Sequence, residues 1–126
     1  MTHSYIANAL SIAGSDPSGG AGVQADLKSF SANHVFGMAV ITALTAQNTR
    51  GVTDIHLPPV DFIKVQISAI FDDIHVDSVK IGMVANAEIA RAVATALADR
   101  HNGNLVLDPV MVAKGGTQLL APDAVD

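Results

Sequence analysis

Residues 14–22 read Gly-Ser-Asp-Pro-Ser-Gly-Gly-Ala-Gly. An apolar run, Ile6 to Ala13, precedes them, and an amphipathic run, Val23 to His34, follows. The order is strand, glycine-rich turn, helix. Glycine tolerates positive φ and leaves no side chain over the main chain, so another molecule can come close. The turn opens a helix, where free N–H groups and the dipole favour anions and polar ligand edges. In open α/β sheets, ligands sit beyond the carboxyl ends of strands. The rest of the chain adds strands and turns to that same edge.

The first strand spans Asn8 to Ala13, after a frayed end at residues 1–4. The first helix runs from Val23 to Asn33 with Val23, Leu27 and Phe30 as its core stripe, and Asn33-His34 stops it. The second strand, Met38 to Ala46, is apolar on both faces, as in a buried parallel sheet. It ends in Gln47-Asn48-Thr49 and an Arg50-Gly51 turn; Val52 to Leu57 is a short extended segment. Pro58-Pro59 opens a helix over 59–73, with Val60, Ile63, Ile67, Ile70, Phe71 and Ile74 as its stripe. A third strand, Ser78 to Ile81, leads into Gly82-Met83. A third helix, Ala87 to Arg100, is capped by Asn86 and buries Ile89, Val93 and Leu97. A fourth strand, Asn104 to Leu107, runs into Asp108-Pro109-Val110-Met111. This alternation predicts an α/β fold, a mostly parallel sheet with helices on both faces and right-handed crossovers.

At 49% hydrophobic, 126 residues suit one globular domain without repeats or linkers. The net charge of −5 and the lack of a basic run exclude a nucleic-acid backbone as partner. There is no Cys, which excludes disulfides, thiol catalysis and thiolate metal sites within these residues and fits a cytoplasmic protein. The longest uncharged apolar stretch, Val35 to Ala46, is too short to span a bilayer, so no membrane partner is expected. The five His residues are scattered and do not suggest zinc. Residues 121–126 read as the first turn of another helix, and a single turn does not hold alone. The expectation is the N-terminal half of a longer α/β domain. Were the chain to end there, its sheet would expose an apolar edge and self-associate.

Two phosphate-loop readings fail. Gly14 and Gly19 have Walker spacing, but Gly20-Ala21 stands where Lys and Ser/Thr would hold phosphate and magnesium. Residues 20–25 fit a dinucleotide fingerprint formally, without an acid at the ribose distance. A tight strand-to-helix connection with no ligand is the alternative reading of the loop. Asp26, at the edge of the first helix's core stripe, is either an exposed acid favoured by the dipole or a carboxylate that accepts from a substrate hydroxyl or amine. Gln47 and Asn48 are turn residues, or else an amide whose donor and acceptor match a heterocycle with a ring nitrogen beside an amine. Asp108 is a cap before Pro109, or a carboxylate facing hydrated magnesium and phosphates. Met83 and Val110 are core residues or pocket lining. Gly14, Gln47, Met83 and Asp108 share one property: each falls at the carboxyl end of a predicted strand, where one pocket would form.

Residues 13–22, with Gln24-Ala25-Asp26-Leu27-Lys28, resemble the start of the hydroxymethylpyrimidine/phosphomethylpyrimidine kinases. So do residues 41–49 (Ile-Thr-Ala-Leu-Thr-Ala-Gln-Asn-Thr), Lys80-Ile81-Gly82-Met83 and Leu107-Asp108-Pro109-Val110-Met111. The resemblance implies a ribokinase-like fold, with residues 1–126 as the N-terminal part of a single kinase domain. It implies ATP- and Mg²⁺-dependent phosphorylation of 4-amino-5-hydroxymethyl-2-methylpyrimidine and then of its monophosphate, in thiamine biosynthesis. Gly14 would floor the pyrimidine site, Asp26 and Gln47 would give polar contacts, Met83 and Val110 would line the ring pocket, and Asp108 would lie near metal and phosphates. The family's anion hole, catalytic base and most ATP contacts fall in a C-terminal half not among these residues, so the segment alone is expected to be inactive. The partner is a small pyrimidine, with a homodimer as a candidate assembly. A pyridoxal kinase-like vitamin kinase and a truncated, non-catalytic pyrimidine-binding module are the alternatives.

Overall fold

The structure, a computed structural model, describes residues 5–101 and 103–108. Its elements are β1 (Asn8–Gly14), α1 (Gly22–Ala32), β2 (Phe36–Asn48), β3 (Gly51–His56), α2 (Val60–Phe71), β4 (Ser78–Ile81), α3 (Ala87–Arg100) and β5 (Asn104–Leu107). They build one five-stranded sheet in the order β3-β2-β1-β4-β5. All pairings are parallel except β2 with β3. The expectation of an α/β fold with a mostly parallel sheet is met, and residues 52–56 are extended as expected. These form an antiparallel hairpin arm on the last part of β2, with Leu44 opposite His56 and Asn48 opposite Gly51. Gln47 and Asn48 therefore belong to a strand, and the turn itself is Thr49-Arg50.

β1 is buried along almost its whole length because strands flank it on both sides. Its alternation sorts two faces. Leu10 and Ile12 join Met38, Val40, Val79 and Ile81 in a core completed by Ile63 and Ile67 of α2 and Ile89, Val93 and Leu97 of α3. Ser11, on the opposite face, hydrogen-bonds to Asp26 of α1. There Leu27 and Phe30 of α1 pack closely over Gly37 of β2. Helices thus cover both faces. Right-handed crossovers require this, since β1 to β2 and β4 to β5 step in opposite directions across the sheet. Asn86 caps α3 as its sequence predicts, accepting from the Ile89 N–H at 2.9 Å.

Two edges differ. Beyond the reach of β3, the outer edge of β2 is covered by a side chain: the Gln66 amide both accepts from the Ile41 N–H and donates to the Ile41 carbonyl, at 3.0 Å each. β5 forms the other rim, and Leu105, Val106 and Leu107 are more than half exposed there.

Candidate functional site

The order of the strands decides where a cleft can open. From β1 the chain steps to β2 on one side and later to β4 on the other. Between β1 and β4 the winding reverses, and loops leaving the two strand ends part to opposite faces. At that point Gly14 ends β1, and Gly82-Met83 follows β4. A recess of about 70 Å³ lies here, walled by Gly14, Ser15, Asp16, Thr45, Gln47, Lys80 and Met83, among others.

The glycine corner is shaped by what it packs against. At Gly14 an added Cβ would stand 2.8 Å from the Met83 sulfur, so a side chain there would push that flexible thioether off the strand end. Gly22 has φ +61°, and a Cβ there would meet the Gly14 carbonyl oxygen at 2.3 Å. The absent side chains thus admit the protein's own atoms first. The same holds for the α1 start. Asp16 is buried, and its carboxylate accepts from the Ser18 N–H (2.9 Å), the Ser18 hydroxyl (2.6 Å), the Gly20 N–H (3.0 Å) and the Ala21 N–H (2.8 Å). Burial pushes its pKa up, but these hydrogen bonds outweigh burial and hold it below the usual carboxylate range. The N–H groups at the corner already have an anion, an internal one. Gln24 in turn accepts from the Asp16 N–H at 2.8 Å.

Gln47 reaches the recess because β2 runs past Gly14 into the hairpin arm. Thr45, one turn of the pleat earlier, ties that arm to the corner: its hydroxyl lies 2.8 Å from the Ser15 carbonyl. The Met83 carbonyl accepts from the buried Thr42 hydroxyl at 2.5 Å, which pins the β4 exit against β2. Asp26 stands behind the wall. It accepts from Ser11 at 2.6 Å and pairs with Lys80 at 2.8 Å, and both members of the pair are largely shielded from water. Lys80, the one of the two that lines the recess, presents an ammonium there that Asp26 holds in place and offsets in charge.

Three of the predicted site residues, Gly14, Gln47 and Met83, therefore share one recess, and Asp26 is one contact removed. Asp108 is not on its wall; it is exposed at the end of β5, where its N–H donates to Ile81 at 2.8 Å. Val110 lies outside the described residues. Sequence reasoning missed Asp16, Thr45 and Lys80 as site residues. The Asp-Pro-Ser-Gly-Gly run carried a signal for Asp16, because Asp commonly caps its own turn two residues on. A lysine in the short apolar strand 78–81 was a signal too, since a buried ammonium needs a carboxylate partner.

Among the described residues no three His, Asp or Glu side chains group as metal ligands. The Gly20 and Ala21 N–H groups at the corner are taken by the Asp16 carboxylate. No described helix is long and apolar enough to cross a membrane.

With this geometry in view, the comparisons are consistent. The model of the phosphomethylpyrimidine kinase family matches residues 16–126. The chain belongs to this family. It is 56% identical to the hydroxymethylpyrimidine/phosphomethylpyrimidine kinase of Haemophilus influenzae over 122 residues, 97% of this chain and 45% of that one. The crystal structure of phosphomethylpyrimidine kinase from Clostridium difficile 630 superposes with TM-score 0.86 at 52% identity, covering 94% of this chain and 51% of that chain. Pyridoxal kinase from Staphylococcus aureus in complex with pyridoxal gives 0.79 at 34% identity, covering 89% and 42%. The chain spans about half the length of the kinases it matches.

Proposed function

We propose that this chain supplies the pyrimidine-binding wall of a kinase that phosphorylates 4-amino-5-hydroxymethyl-2-methylpyrimidine and its monophosphate in thiamine biosynthesis. The observation that carries this reading is the meeting of Gly14, Gln47 and Met83 at the winding reversal between β1 and β4. Met83 and Gly14 give the recess an apolar wall for a flat ring, and the Gln47 amide offers the donor and acceptor that an aminopyrimidine edge needs. Asp26 contributes through Lys80, which it holds at the wall. Val110 completes the ring pocket in this reading. Asp108 faces the magnesium and phosphate side, since Mg²⁺ keeps most of its waters and takes few protein ligands. ATP supplies the phosphoryl group. Catalysis of such a transfer is positioning and charge neutralisation, and both need a second wall facing this one.

The pyrimidine is favoured over pyridoxal by the higher identity to the pyrimidine kinases, 48–56% against 32–38%. The test is turnover with ATP and Mg²⁺ by these 126 residues and by a form extended to the relatives' length. The extended form is expected to phosphorylate the pyrimidine and its monophosphate in preference to pyridoxal, and the 126 residues to turn over neither. Preference for pyridoxal would reverse the assignment, and turnover by the short form would refute the half-cleft reading.

A further inference from the structure

The Thr45 hydroxyl stands between two oxygens, 2.8 Å from the Ser15 carbonyl and 3.1 Å from Oε1 of Gln47. A hydroxyl carries one proton. The Ser15 carbonyl can only accept and is the nearer of the two, so the proton belongs there. A lone pair of Thr45 Oγ1 then faces the Gln47 amide. It repels an amide oxygen and holds an amide N–H. A half turn about the last bond of Gln47 exchanges oxygen for nitrogen with almost no change in shape, and the hydrogen-bond network decides between the two.

We propose that Thr45 fixes the Gln47 amide with Nε2 against its hydroxyl and Oε1 turned into the recess, and thereby sets which heterocycles the recess accepts. Thr45 is well placed to do so, because it cannot follow the amide. Its hydroxyl is bound to Ser15, and the Ser15 N–H is anchored to the Ala43 carbonyl at 2.8 Å, where the β1–β2 register shifts. With the amide so held, Oε1 accepts from an exocyclic amine and the remaining Nε2 proton serves the adjacent ring nitrogen. A ring carrying a carbonyl beside a ring N–H presents the reverse pattern and is refused. Thr45 is a positioning residue here, acting through Gln47. This rests on the reading that the recess takes an aminopyrimidine.

Two measurements test it, one without ligand. In the free 126-residue chain, the Gln47 side-chain NH₂ protons should show nuclear Overhauser contacts to Thr45, and one of them should exchange slowly. Both features should persist in Thr45→Ser and vanish in Thr45→Val. NH₂ protons remote from Thr45 in the wild type would overturn the proposal. The second measurement compares binding of the aminopyrimidine with that of its 4-oxo analogue. Thr45→Val should narrow the wild-type preference by about tenfold, the worth of one well-oriented hydrogen bond, while Thr45→Ser keeps it. Equal weakening of both ligands in Thr45→Val would reduce Thr45 to a packing residue and also overturn the proposal. If the wild type binds neither ligand, the aminopyrimidine reading fails, and the ligand-free spectra still decide the amide orientation.

Discussion

Asp16 is the residue on which the glycine corner closes. Four donors of the turn converge on its carboxylate, three main-chain N–H groups and the Ser18 hydroxyl. Asp16→Ala leaves them bare and should cost about 2–4 kcal/mol by urea denaturation, since several are charge-assisted. The pH dependence follows from the sign of the shift. A carboxylate with a lowered folded pKa adds stability that is present above its ordinary value of 3.8 and is lost as pH falls through the folded value. Asp77 adds to the same window, because the Asn8 N–H and then the Tyr5 hydroxyl hold its pKa down. The stability gap between wild type and Asp16→Asn should therefore be constant near neutrality and close below about pH 4 in acid-titrated melts. Gly22→Ala is expected to cost at least about 3 kcal/mol, because it combines positive φ with a collision against the Gly14 carbonyl. A melting curve like the wild type's for that variant would mean the corner is looser than described.

At the scale of elements, the hairpin arm matters most, because it carries Thr45 and Gln47 past the sheet to the recess. The edge of β2 below the arm is held by the Gln66 amide alone among the described side chains that bond to it. Gln66→Leu keeps the volume and removes both bonds to Ile41, so it should destabilise by about 1–2 kcal/mol and raise exchange of the Ile41 amide above that of its neighbours. Unchanged protection at Ile41 would contradict that role. Helix and strand positions were legible in the sequence where the apolar period was clean: 63, 67, 70 and 71 on α2, and 89, 93 and 97 on α3. Residues 52–56 were legible only as extended. Pairing direction depends on a two-residue turn and on which neighbour leaves its edge open, and no local pattern states that. The site was half legible for the same reason. Strand-end positions such as 14, 47 and 83 follow from topology, whereas the Lys80–Asp26 pair depends on side-chain reach between elements 54 positions apart.

For the whole molecule, the sheet is asymmetric. One rim carries a hairpin arm, and the other presents Leu105, Val106 and Leu107 to solvent. Expressed by itself, the 126-residue chain should self-associate through that apolar rim, giving a concentration-dependent mass by light scattering; a constant monomer mass at high concentration would show the rim to be protected. The central claim concerns the opposite matter, where the ligand sits. Titration of 4-amino-5-hydroxymethyl-2-methylpyrimidine into the ¹⁵N-labelled chain tests it most directly. Amide shifts confined to Gly14–Asp16, Thr45–Gln47 and Gly82–Met83 are the predicted result. Shifts centred instead on the wider groove that Pro59, Asp61 and Lys64 at the start of α2 form with Asn86 and Glu88 at the start of α3, or none at millimolar ligand, would contradict it.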